Sequence, residues 1–208
     1  MKDFKGEPMS EEARAVAKAF TDQIERDYRV ARESTGIPEG YLRSRLLYVP
    51  AADTLIAEVY RGSDGWHTHR LFARRSTEIR YTAIGTPAEG VFYSQPVALP
   101  QAECAYFSVW RTADGGAGYD WDSIQRLHLS DYRIEQVVAS DGLVVATPYE
   151  RSWVSELLGV TADGASLICT CVLQRPTSTG GKMDYVVCYL DLATKQVTPL
   201  SKLEGIWY

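Results

Sequence analysis

Two kinds of hydrophobic rhythm divide the chain. In the first 40 residues, Ala13, Val16, Ala17, Phe20, Ile24, Tyr28 and Ala31 recur at steps of three and four on a charged background. That spacing draws one apolar stripe along a helix. Ser10 supplies an N-cap, Glu11 and Glu12 suit the positive end of the helix dipole, and Gly36 and Pro38 close the segment. A lone amphipathic helix cannot bury its own stripe, so it must lie on the rest of the chain or on a partner. From Tyr41 onward, short β-like runs alternate with Gly-, Asp- and Pro-containing loops. The sequence thus predicts an N-terminal helical segment over residues 1–40 and a β domain over residues 41–208.

The β runs repeat. Residues 54–61, 104–111 and 166–173 correspond in pattern, at separations of 50 and 62 residues. Each is preceded by another strand candidate (45–49, 90–94 and 154–160). Each is followed by a Gly-containing loop, a second run (69–74, 124–130, 185–192) and a short third one (78–81, 133–138, 195–200). Four antiparallel strands per unit, repeated in series, are the sequence signature of propeller blades. The fold expected is mostly β: three four-stranded antiparallel blade-like units, WD40-like in their repetition, behind one N-terminal amphipathic α-helix. A closed ring takes roughly four to eight blades. Three units therefore predict a fragment of a β-propeller, a ring completed in a dimer, or an open β array capped by the helix. Two bare strand edges, at residues 41–49 and 203–208, would recruit further strands. That predicts a homodimer, or a helix laid over an edge.

In the third unit, Val160-Thr161-Ala162-Asp163-Gly164-Ala165-Ser166-Leu167-Ile168 resembles the S-x-D-G-x-x-hydrophobic turn of TolB-type β-propeller repeats. The stretch from Val187 to Leu200 resembles the strand pair of those repeats, with Asp191-Leu192-Ala193-Thr194-Lys195 where they carry D-L-x-T-G. In such a turn the Asp163 side chain caps the backbone and Gly164 takes positive φ. The match is best over residues 154–200. The second unit has Leu99-Pro100-Gln101-Ala102 at its turn and the first has Val49-Pro50-Ala51-Ala52-Asp53. The resemblance implies an architecture, and propellers host unrelated functions.

Composition narrows the class. The chain has 208 residues, 45% hydrophobic and 24% charged, which suits a globular protein and argues against disorder. No apolar run approaches the roughly 20 residues of a membrane span. The opening Met1-Lys2-Asp3-Phe4-Lys5-Gly6-Glu7 lacks a signal-peptide core. A cytoplasmic protein with no membrane partner is expected. The net charge of −5 conceals a balance of +3 over residues 41–82, where every basic residue is Arg, and −6 over residues 83–208. An acidic total disfavours nucleic acid, which needs a basic footprint.

Several constellations bear on chemistry. His67 and His69 would share one face of a strand and form a weak chelating pair, with His128, Asp120 or Asp122 as the missing ligand. Polar residues of a hairpin turning at Ser63-Asp64-Gly65 are the plainer reading, so neither metal nor cofactor is expected. Cys104, Cys169, Cys171 and Cys188 each sit in an apolar run and read as buried thiols. C-x-C plus one distant Cys lacks zinc-site spacing. Arg70, Arg74, Arg75 and Arg80 could bind phosphate or an acidic protein face, although a solvated, charged hairpin turn at Arg74-Arg75-Ser76-Thr77-Glu78 is the plainer reading. No nucleophile elbow, zincin motif, P-loop or dinucleotide fingerprint is present.

The remaining feature is a loop tip. Gly115-Gly116-Ala117-Gly118 reads as a flexible link between strands, flanked by Asp114, Tyr119, Asp120, Trp121 and Asp122. Acidic residues steer a basic partner and aromatics supply a buried anchor. The expected function is a non-enzymatic protein-binding module whose partner has a basic surface, in general character like immunity proteins that neutralise a toxin. A propeller-type hydrolase or lyase using His67, His69 and carboxylates is the competing class. A carbohydrate-binding module is the third, since Trp66, Trp110, Trp121, Trp153 and Trp207 are many for this length.

Overall fold

The computed structural model describes residues 41–61, 69–113, 118–177 and 180–202. The expected N-terminal helix, His67, Asp114 and residues 203–208 lie outside the described residues. The chain divides between Ile37 and Pro38, and the described residues all belong to the second part. There the protein is mostly β. Its one described helical piece is a 3-10 turn, Pro50–Ala52, and no described helix is long and apolar enough to cross a membrane.

Three sheets follow one another along the chain. The first contains β1 (Tyr41–Val49), β2 (Thr54–Arg61), β3 (Arg70–Arg75) and β4 (Thr82–Ala83) in that order. The second contains β5 (Val91–Val97), β6 (Cys104–Thr112), β7 (Tyr119–His128) and β8 (Ile134–Ala139). The third runs β10 (Arg151–Val160), β11 (Ser166–Thr177), β12 (Gly180–Asp191), β13 (Gln196–Lys202) and then β9 (Val144–Val145). Neighbours are antiparallel throughout, except that β9 lies parallel to β13.

Two details depart from the sequence pattern. The short fourth strand of the first sheet falls at Thr82–Ala83 and not at residues 78–81. A turn occupies the earlier position: the Glu78 N–H donates to the Arg75 carbonyl, and the Glu78 carboxylate accepts from the Arg75 N–H. The third sheet also gains β9, which no run of the repeat anticipated. Each sheet has its own two edges, so the described strands are not one array with a single pair of bare ends.

The second sheet is covered on both faces. Ala105, Phe107, Val109 and Leu127 pack with Val49, Ile56, Leu71 and Ile84 of the first sheet and its flanks. Val97, Tyr106, Trp121, Ile124 and Val138 pack with Val154, Leu157, Leu167, Cys169 and Leu190 of the third. Along β6, odd-numbered side chains therefore face one neighbour and even-numbered ones the other. This is why the strand reads as a continuous apolar run without alternation.

The leading strands β1, β5 and β10 are each an edge of their sheet, and polar groups join them. A bulge in β5 places Gln95 at φ 58. Its N–H donates to Glu58 Oε2 of β2 at 3.1 Å. Its side-chain amide donates to the Ser155 carbonyl at 3.3 Å and accepts from the Leu157 N–H at 3.1 Å, both on β10. Arg45 of β1 reaches Glu156 of β10 at 2.8 Å. Edge groups that would otherwise lack partners are thus satisfied between sheets.

Candidate functional site

A cavity of about 610 Å³ opens beside β7, β10 and the Ser140–Leu143 segment. Its aromatic lining is Tyr119, Trp121 and Trp153, and its charged lining is Asp120, Asp141, Glu150 and Arg151. Three carboxylates against one guanidinium leave it acidic. None of those three carboxylates forms an ion pair among the described residues. Trp121 is only 5% exposed, and its indole N–H is buried without a hydrogen-bond partner.

The residues singled out from the sequence separate here. Tyr119, Asp120 and Trp121 line the cavity together. They lie on β7 and not on a loop tip, because pairing with β6 begins at Thr112↔Tyr119. Asp122, the extra residue at the β7 bulge, turns away to an ion pair with Arg111 and accepts from the Ser123 hydroxyl at 2.9 Å. Asp141 and Glu150 carry no sequence signal for this site, and Trp153 enters the sequence reading only among the tryptophans of the carbohydrate alternative. Asp141-Gly142 signals a turn in sequence, but only folding shows what the turn faces.

Tyr119 also meets Phe92 edge-on, with ring centroids 5.1 Å apart. Phe92 in turn neighbours His69 at 6.5 Å, and His69 stacks on Tyr60 at 5.6 Å. His69 is buried, and its Nδ1 lies 2.7 Å from Glu58 Oε1. It is a packed, carboxylate-bonded ring. His128 sits elsewhere, beside Glu135 and Arg133. Among the described residues, His69, His128, Asp120 and Asp122 do not converge as metal ligands.

Three of the four arginines are structural, and the fourth, Arg80, is exposed. Arg70 donates to the carbonyls of His69 and Val91, Arg74 to those of Arg75, Ser76 and Glu78, and Arg75 to Ala52. Arg74 is buried and also lies over the Tyr81 ring. These guanidiniums hold turns and sheet ends together, which leaves few donors for a phosphate and corrects the solvated reading of Arg74.

Cys169, Cys171 and Cys188 come together in the core of the third sheet. Cys169 and Cys188 are opposite each other on β11 and β12, and Cys171 follows Cys169 on the same face. Cys169 Sγ lies 3.6 Å from each of the other two sulfurs. Hydrogen bonds from Cys171 and then Cys188 pull the Cys169 thiol down, while the same contacts push the other two up.

No family model and no curated protein matches this chain. Among solved structures it is similar to the Bacillus megaterium YpeB C-terminal domain at 9% identity, covering 87% of this chain and 97% of that one, with a TM-score of 0.19. A superposition at that level carries no argument about fold or function.

Proposed function

We propose that this protein is a non-enzymatic binding module whose cavity beside β7 and β10 receives a cationic side chain from a basic protein partner. The observation that carries the reading is the combination of acidic rim and aromatic floor. Asp120, Asp141 and Glu150 have no ion-pair partners among the described residues, and Trp121 and Trp153 line the same space. Carboxylates at the rim attract a cation, and an indole face stabilises it once water has left. In this reading the three sheets are successive blades of a propeller-type array related to TolB-type repeats. Neutralising a basic partner, as immunity proteins do, is a role such a cavity could serve.

The test uses a hexa-arginine peptide and the intrinsic fluorescence of the full chain. The peptide should perturb tryptophan emission at low salt, and the effect should fade as salt shortens the Debye length below about 10 Å. An Asp120→Asn/Asp141→Asn double variant should bind about tenfold more weakly, since two rim charges contribute about 1.4 kcal/mol or more. Unchanged binding by the double variant would remove the cavity from the interface. Perturbation by neutral oligosaccharides in place of the peptide would favour the carbohydrate reading, for which the two indoles also speak.

A further inference from the structure

The three-cysteine cluster is not part of that cavity's lining and gathers three sulfurs on one face of two neighbouring strands. All three residues are 0% exposed. Their sulfurs lie within 4.8 Å of one another, with two separations of 3.6 Å. Those lengths define a point about 2.1–2.4 Å from every sulfur, and a metal–thiolate bond is about 2.3 Å. The three sulfurs thus lie at separations that an ion bonded to all of them could span with little movement of the side chains. We propose that Cys169, Cys171 and Cys188 form a three-sulfur site for copper(I).

The identity of the ion follows from the ligand set. Zinc takes four ligands, and the group of metal-ligating side chains among the described residues stops at these three cysteines. Val154, Leu157, Leu190 and Val197 belong to the same buried cluster, so a fourth-position water would sit among apolar side chains without hydrogen-bond partners. Copper(I) is soft, prefers thiolate sulfur and is satisfied by few ligands. On binding, copper–sulfur bonds form, the ionising thiols release their protons to solvent, and the oxidation state of the metal does not change. Because the site is in a sheet interior, the ion enters as the third sheet forms or opens.

The full chain, kept reduced by a phosphine under anaerobic conditions, is refolded with excess copper(I) and desalted against a chromophoric copper(I) chelator. Retention of about one copper per chain is expected, with a thiolate-to-copper absorption in the near ultraviolet. Cys104→Ala should retain it, while Cys171→Ala and Cys188→Ala should lose it, with near-UV dichroism confirming that each variant has folded. X-ray absorption of the loaded wild-type chain gives a readout independent of the variants, and a shell of sulfur near about 2.3 Å is expected. Copper stripped from the wild type, copper kept equally by both folded core variants, or a nitrogen or oxygen shell would each overturn the assignment.

Discussion

Lys195 holds a left-handed backbone, φ 63, at the end of the β12–β13 turn, a conformation that favours glycine. A side chain in that region costs on the order of 1–2 kcal/mol. Part of this is offset by the Lys195 ammonium, which donates to the Leu192 carbonyl. Lys195→Gly should therefore raise stability by about 0.5 kcal/mol, the extra unfolded-state entropy of glycine taking the rest. A urea midpoint that falls would mean that the ammonium contact outweighs the strain. The same turn is capped by Asp191, whose carboxylate accepts from the Thr194 and Ala193 N–H groups and the Thr194 hydroxyl. Asp163 accepts from the Thr161 hydroxyl and the Ala165 N–H, beside Gly164 at φ 73. Both carboxyls are held below their ordinary value, Asp191 chiefly by the Thr194 N–H and Asp163 chiefly by the Thr161 hydroxyl. A lowered folded value stabilises the fold above the unfolded value of about 3.9, and the contribution is lost as pH falls through the folded one. Asp191→Asn should accordingly be less stable than wild type at pH 7, with the gap closing on acidification. A gap that persists in acid would show that the ionised carboxylate is not what the turn uses.

At the scale of elements, Gln95 is the residue on which neighbouring strands depend. The bulge that gives it a left-handed φ also turns its N–H out of the β5–β6 ladder and toward Glu58. Its amide then serves the β10 edge in place of a missing strand. Gln95→Ala leaves the N–H of Leu157, a residue 1% exposed, without that partner, and should cost about 2–3 kcal/mol. Gln95→Gly relieves the backbone but loses the same bridge, so a comparable loss is expected on denaturation. If Gln95→Gly were instead as stable as wild type, the strain and not the bridge would govern the site. Strand positions were largely legible beforehand. Runs such as Thr54–Arg61 and residues 166–173 announce themselves through β-branched and aromatic content between turn residues. The β7 start reads as a loop in sequence because Gly118 and two aspartates look like a turn, and ladder pairing with β6 overrides that local preference.

At the scale of the molecule, the cavity lies between two sheets, the second supplying Tyr119, Asp120 and Trp121 and the third Val145, Arg151, Trp153 and Gln174. Trp121 packs in the cluster shared with the third sheet while lining the acidic opening, so its loss would damage the core as well as the opening. This is why the binding test rests on Asp120 and Asp141, which are exposed. The sequence by itself determined the β class, most of the antiparallel strand runs, the Asp163-Gly164 turn and the gathering of acid and aromatic residues at 119–121. These are set by periodicities and turn chemistry that act over a few neighbouring positions. Only the tertiary structure decided which carboxylates face the cavity, that Asp122 is spent on Arg111, that Arg70, Arg74 and Arg75 bind backbone, and that three cysteines from two strands meet. Those outcomes depend on register and on which sheet faces lie together, contacts between residues far apart in the chain that no local pattern encodes.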